Sequence, residues 1–475
     1  MSIMIPRPTH PPDPTDPHPP RASVNGLDKA ATRPSTASPL VFLLFGLLLG
    51  LTALATEVPA DLRLLRALGA GDFETATADF SPLMREHLDA ARMAEVWAGV
   101  TASLGALGEI EPLTEQAQGE LRVSTLRLHF AQGALDAQVA SDEAGVVHGL
   151  YFRPAPPPAP EPGEESPREV ELDSGATGWP LPALLTVPEG EGPFPAVVLV
   201  HGSGPQDRDL SIGANRPFRD IAHGLARRGV ASLRYHKRTH VHAERLSIES
   251  PAITLEEEVV ADALAALAKL SELDDIDGER RFVLGLSLGA LLAPRIGERA
   301  ADIAGIVMLA PSARPLHEII PAQVRYIAEL DGIISEAEAE GIRRAEALRD
   351  AIAKVLAGED VDIAWTGAPA EYWRDLDAYD ALGTAAALDL PILLLQGERD
   401  YQVTIDDDFV LWRRALEGRP RAELHVLPGL NHLFIAGEGP SGPAEYLRPG
   451  RVDDGALDLI AAWIRRQSAT TQGKP

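Results

Sequence analysis

The stretch RFVLGLSLGALLAP (281–294) passes from apolar residues into Ser287, set between Gly285 and Gly289, and continues as an Ala- and Leu-rich run. The first half predicts a buried strand and the second a helix, which places Ser287 at the turn between them. Gly-x-Ser-x-Gly at such a junction is a nucleophile elbow. The serine stands clear on a sharp turn while strand and helix pack closely behind it, an approach that glycine permits. A pentad is short enough to arise by chance, so the surrounding chain has to carry the reading.

Outward from Ser287, apolar runs of strand length recur: PAVVLV (195–200), VASLR (230–234), FVLG (282–285), IAGIVML (303–309), PILLLQ (391–396) and AELHVL (422–427). A continuous run such as PAVVLV fits a parallel strand covered on both faces. Helical segments alternate with these runs. One follows Thr254, with Glu257 at capping-box spacing and Val260, Leu264 and Leu267 along one face. The alternation predicts a doubly wound α/β domain over 168–470. A longer helical interval, about 315–382, interrupts the rhythm after the 303–309 strand and is expected to roof the sheet's carboxyl edge. Its apolar residues Ile319, Ile320, Tyr326 and Trp373 are candidates for lining an acyl pocket.

Ahead of this domain, 57–152 reads as a small α+β unit. Phe73, Ala76 and Phe80, then Met93, Val96, Trp97, Val100 and Leu104, recur at helical spacing. Three strand candidates follow, the first being LRVSTLRLHF (121–130), whose alternation slips between Thr125 and Leu126. Residues 153–167 form a Pro-rich linker, and 1–39 read as a disordered leader. The uncharged run LVFLLFGLLLGLTALA (40–55) is short for a membrane span and ends in Ala53-Leu54-Ala55. It implies export, either with cleavage before Thr56 or with retention as an anchor, and any membrane association is expected through this segment only. A net charge of −27 argues against nucleic acid as a partner, and the absence of cysteine excludes disulfides, thiolate metal sites and cysteine nucleophiles.

A serine hydroxyl needs a histidine to take its proton and a carboxylate to orient that histidine. With Ser287 as nucleophile, the acid and histidine should follow on loops after later strands. LLLQGERDYQVT supplies Asp400, with Glu398 as its nearest competitor; Asp406–Asp408 read as the opening of a helix. HVLPGLNHLF supplies His432, whereas His425 lies within the strand and is expected to pack in the core. LVHGSGPQDRD (199–209) ends a strand in a glycine-rich turn suited to an oxyanion hole. One donor would be the backbone N–H of Ser203 or Gly204, and the other that of Leu288. His236, His240 and His242 with Glu244 match no closed zinc pattern and read as a solvated loop. No metal and no cofactor are expected.

HGSGPQDRD, NRPFRDIAHGLARRGVASLRYHKRT, GLSLGA, YWRDLDAYD, LQGERDYQVT and LNHLF together resemble bacterial exported carboxylesterases of the α/β-hydrolase fold, in the dienelactone-hydrolase-like and serine-aminopeptidase-like branch. The resemblance covers about 168–470, and 57–152 resembles an NTF2-like domain of unknown function found ahead of some of them. It implies a Ser287–Asp400–His432 triad acting on a small-molecule ester through an acyl-enzyme. One departure is His236, where the family pattern Arg-Tyr-Asp-Lys-Arg has aspartate. The alternatives are an aminopeptidase on the same scaffold, with Glu336, Glu338 or Glu340 as an amine clamp, and an inactive hydrolase serving as a binding module.

Overall fold

The computed structural model describes residues 58–155, 167–173, 178–249, 252–300 and 302–471. The leader, the apolar run 40–55 and most of the Pro-rich linker lie outside the described residues. Among the described residues no helix is long and apolar enough to cross a membrane.

Among the described residues two separate sheets organise the chain. The smaller is antiparallel, in the order β1 (Leu107–Gln118), β2 (Leu121–Phe130), β3 (Gly133–Ser141), β4 (Val147–Pro154). Its apolar face packs on the helix Ala90–Leu104, whose Met93 and Trp97 are buried, with Trp97 lying against Phe130 and Phe152. The slip in the alternation of β2 has a cause across the ladder. Pro112 faces Leu126 and Thr114 faces Thr125, so Leu113 is an extra residue that bulges β1. β1 itself carries little apolar signal, because most of its residues are exposed.

The larger sheet has eight strands. They are β5 (Arg168–Asp173), β6 (Pro180–Thr186), β7 (Phe194–Val200), β8 (Ala231–Tyr235), β9 (Ile276–Leu286), β10 (Gly305–Leu309), β11 (Ile392–Gly397) and β12 (Ala422–Leu427). The spatial order is β12-β11-β10-β9-β7-β8-β6-β5. Strands β7 to β12 run parallel, and β5 and β6 add an antiparallel edge. Alternate residues of β7 feed opposite cores, as the pleat requires. Val198 and Val200 join Val260, Leu267, Leu292 and Ile296 on one face, while Val197 and Leu199 join Phe218, Ile221, Leu457 and Trp463 on the other. Both faces are therefore covered, which explains the unbroken apolar runs.

The chain leaves β7 for β8 on one side and then crosses back to place β9 on the other. At such a switch point the loops after the two central strands diverge and open a crevice at their carboxyl ends. Between β10 and β11 the chain forms the helices Leu316–Ala328, Glu336–Leu356, Ala370–Ala378 and Ala381–Ala387. Ser335 and Glu338 close a reciprocal cap on the longest of them.

The close approach behind Ser287 is tight enough to test. A Cβ added at Gly289 would lie 2.2 Å from the Val200 carbonyl oxygen, and one at Gly285 would lie 2.1 Å from that of Gly289. Gly289→Ala is expected to cost about 1–3 kcal/mol through overpacking, read as a lower midpoint in urea. An unchanged midpoint would contradict the packing.

Candidate active site

Ser287 follows β9 directly and precedes the helix Leu288–Arg299. Its backbone sits at φ 57°, ψ −118°, a region costing a residue with a side chain about 1–3 kcal/mol. Two backbone hydrogen bonds clamp the turn. Ser287 N–H donates to Leu309 O at 2.9 Å, and Ser287 O accepts from Leu291 N–H at 2.9 Å. Leu288 is the first helical residue, so its N–H is one of the four that have no acceptor within the helix.

The acid and the histidine arrive from the neighbouring strands. Asp400 lies just past β11 and His432 past β12, at the same carboxyl edge as Ser287. Their side chains meet: His432 Nδ1 is 2.7 Å from Asp400 Oδ2, with both buried. A carboxylate oxygen only accepts, so Nδ1 carries the proton and Nε2 is left as the basic nitrogen. Asp400 Oδ2 also accepts from Gln396 Nε2 at 3.1 Å, and Oδ1 accepts from the N–H groups of Gln402 and Val403 at 2.8 and 3.0 Å. Four donors thus fix the carboxylate. Asn431 braces the histidine loop, its Oδ1 accepting from Leu433 N–H at 3.0 Å and Ile435 N–H at 3.2 Å. Gly397 lets the two loops touch, since a Cβ there would lie 2.6 Å from the carbonyls of Leu430 and Asn431. Sequence reading missed Gln396 and Asn431, although each stands within four residues of a candidate.

The competing carboxylates go elsewhere. Glu398 is exposed and accepts from Gly429 N–H at 2.9 Å. Asp406, Asp407 and Asp408 open the helical turn Ile405–Phe409, and Asp408 pairs with Arg314 at 2.7 Å. His425 departs from expectation: β12 is the edge strand, so the His425 side chain stays 40% exposed instead of packing in the core. Among the described residues no hydrogen bond joins Ser287 Oγ to His432. In enzymes of this chemistry such a bond often tightens only when substrate binds.

His201, at the head of the glycine-rich loop, packs between Phe218 and Tyr235 and donates from Nε2 to Asp207 O at 2.9 Å. Burial, reinforced by the nearby Lys237 charge, pushes its pKa down to about 3, so it remains neutral. The other histidines serve the loops. His236 Nδ1 accepts from Arg208 N–H at 3.2 Å, His236 stacks on His240, and His242 donates to Pro180 O at 2.9 Å. Among the described residues no group of three or more His, Cys, Asp or Glu is placed to hold a metal ion.

A cavity of about 460 Å³ opens over Ser287. Ser203, Gly204, Leu288, Gln402 and Val403 line its floor, and the 316–378 helices supply Leu316, Ile319, Ile320, Tyr372 and Trp373. Tyr326 is not part of the lining: it stacks on Tyr401 and donates to Ser441 O at 2.9 Å. Glu336 and Glu340 are engaged by Arg343, and Glu338 is spent on the helix cap, so none of the three faces the cavity. The smaller sheet's unit reaches the larger one through Arg448 Nε and Ser103 O, 2.8 Å apart, and contributes nothing to this lining. A surface groove of similar size, about 490 Å³, lies on the smaller unit, but its walls hold neither serine nor histidine.

A family model described as "Alpha/beta hydrolase family" matches residues 197–445, and one described as "Protein of unknown function (DUF3887)" matches 63–150. The chain is 40% identical to Esterase EstD of Thermotoga maritima over 399 residues, which is 84% of this chain and 92% of that protein. Among solved structures it overlaps Est1E from Butyrivibrio proteoclasticus (18% identity, 63% of this chain and 99% of that one, TM-score 0.40). It also overlaps a Pyrococcus furiosus esterase (16% identity, 66% and 96%, TM-score 0.42).

The hydrogen-bond pattern separates the two acidic candidates. Asp400→Asn keeps the shape but favours the wrong histidine tautomer, and is expected to lower kcat by about 10⁴-fold. Glu398→Gln should leave kcat within about threefold, because only a loop contact changes. Steady-state hydrolysis of a nitrophenyl ester checks both; a larger loss in the Glu398 variant would reverse the assignment.

Proposed function

Since the chain belongs to the alpha/beta hydrolase family, we propose that it is a carboxylesterase working through Ser287, His432 and Asp400. The observation that carries this reading is the buried 2.7 Å pair of His432 and Asp400, at the sheet edge where Ser287 lines a cavity. The likeness to EstD supports ester substrates in particular.

In the proposed cycle, Ser287 Oγ attacks the ester carbonyl as His432 Nε2 takes its proton. Asp400 stabilises the resulting imidazolium. The carbonyl oxygen becomes an oxyanion, held by the N–H of Leu288 and by a second N–H from Ser203 or Gly204. Collapse of the tetrahedral intermediate breaks the bond to the alcohol oxygen, which leaves with the proton from His432. Water then attacks the acyl-serine, His432 accepts its proton, and the acid is released as Ser287 regains a proton. No step calls on a cofactor. Ile319, Ile320 and Trp373 would hold the acyl chain against the cavity wall by apolar burial.

A panel of nitrophenyl esters of increasing acyl length tests this reading in three proteins. Wild type should turn over the esters. Ser287→Ala should lose about 10⁴- to 10⁶-fold in kcat while melting like wild type. Ile319→Ala should keep kcat on acetyl ester but move the preferred chain length. A Ser287→Ala protein with a tenth of wild-type turnover would overturn the assignment.

A further inference from the structure

We propose that Lys237 is a positioning residue that aims the Ser203 N–H into the oxyanion site, with Glu258 holding the lysine in place. This inference rests on the esterase reading and goes one layer behind the atoms that touch substrate.

Strands β7 and β8 are parallel neighbours, so the loop after β7 and the residues after β8 emerge side by side. Lys237 follows β8 and turns back under the 202–204 loop. Its Nζ lies 2.8 Å from Gly202 O, 3.0 Å from Gly204 O and 2.5 Å from Glu258 Oε1. Three acceptors around one nitrogen require three N–H donors, so the group is an ammonium with every proton used. Lys237 is 1% exposed and does not line the cavity, whereas Glu258 does. Burial draws the lysine's pKa below its ordinary value and Glu258 opposes that shift. The ion pair is what keeps a charge at this depth.

The consequence follows from peptide geometry. In a trans peptide the C=O and the next residue's N–H point in opposite directions. Lys237 draws the Gly202 carbonyl toward itself, so the Ser203 N–H faces away from the lysine. Gly202 lies against the nucleophile, since a Cβ built there would be 3.3 Å from Ser287 Cβ, and Ser203 lines the cavity. The Ser203 N–H therefore faces the side where the substrate oxygen becomes charged. A cation on the carbonyl also polarises the amide and strengthens its N–H as a donor. Gly204 stands differently. Its N–H belongs to the peptide of the Ser203 carbonyl, which Lys237 does not hold, and the Gly204 carbonyl precedes Pro205, which has no N–H to offer. Of the two candidates left by the sequence, Ser203 is the donor.

The test is kinetic, with a probe of the oxyanion itself. Lys237→Met removes the cation and keeps the length of the stem. Removing one oxyanion donor typically costs about 10²- to 10³-fold in kcat, and a misaimed donor should approach that loss with KM within about threefold. Affinity for a trifluoromethyl ketone, whose adduct carries the oxyanion, should fall in parallel with kcat, which a merely structural role would not produce. Should Lys237→Met fail to fold, Glu258→Gln carries the test. It leaves the lysine a neutral partner and should lose about tenfold in kcat, again in step with ketone affinity. A folded variant with wild-type kcat and ketone affinity, beside an inactive Ser287→Ala, overturns this inference alone. Ser287→Ala with retained activity overturns the esterase reading and this inference with it.

Discussion

The carbonyl oxygen of Val200 sets the geometry of the whole carboxyl edge. It ends β7 and presses against Gly289, in the first turn of the helix that follows Ser287, at a spacing that excludes even one Cβ. Because that helix cannot stand off, its first turn lies beside the end of β7, and residues following β7 and β9 line one cavity. Ser287 is forced into its positive-φ turn by the same approach. The strain, about 1–3 kcal/mol, is offset by the apolar residues on either side. Leu284, Leu286, Ala290, Leu292, Ala293 and Ile296 are all buried, and each large one contributes about 1.5–3 kcal/mol on burial.

Around this contact the loops are held by charges placed under the surface. Arg234 pairs with Asp209, Lys237 with Glu258, Arg238 with Asp262 and Arg314 with Asp408, each with at least one nearly buried partner. Such pairs repay their desolvation poorly, so they are weak stabilisers of the fold. Their value here is positional. Removing the partner of the nearly buried member leaves that buried charge uncompensated, so each loop is penalised for any arrangement that breaks its pair. The Asp400–His432 pair works the same way, with the carboxylate fixed by four donors before substrate arrives.

The central parallel strands were legible because they are covered on both faces and so carry unbroken apolar runs. What hid the others is equally physical. β6 begins Pro180-Leu-Pro182, and proline argues against a strand except at an edge or the start of a strand. β5 and β1 are largely exposed and polar. His425 was misjudged because alternation shows which residues share a face but not that the strand is at the sheet's edge. Tyr326 shared the helical face of the lining residues, yet its hydroxyl found a carbonyl elsewhere. The pairing of Asp400 with His432, on which the proposed triad rests, was readable from their places after strands, since order along the chain maps directly onto the sheet edge. Lys237 and Glu258 were not, because no sequence motif ties a lysine after β8 to a glutamate in the helical turn Glu256–Val260.

The proposed cycle depends on Ser287 Oγ bonding to substrate, and covalent trapping tests that most directly. A fluorophosphonate should add one phosphonyl group per chain, abolish ester hydrolysis in proportion, and be recovered by peptide mass spectrometry on Ser287. Complete inactivation with the label on another residue, or an active protein that takes no label, would contradict it.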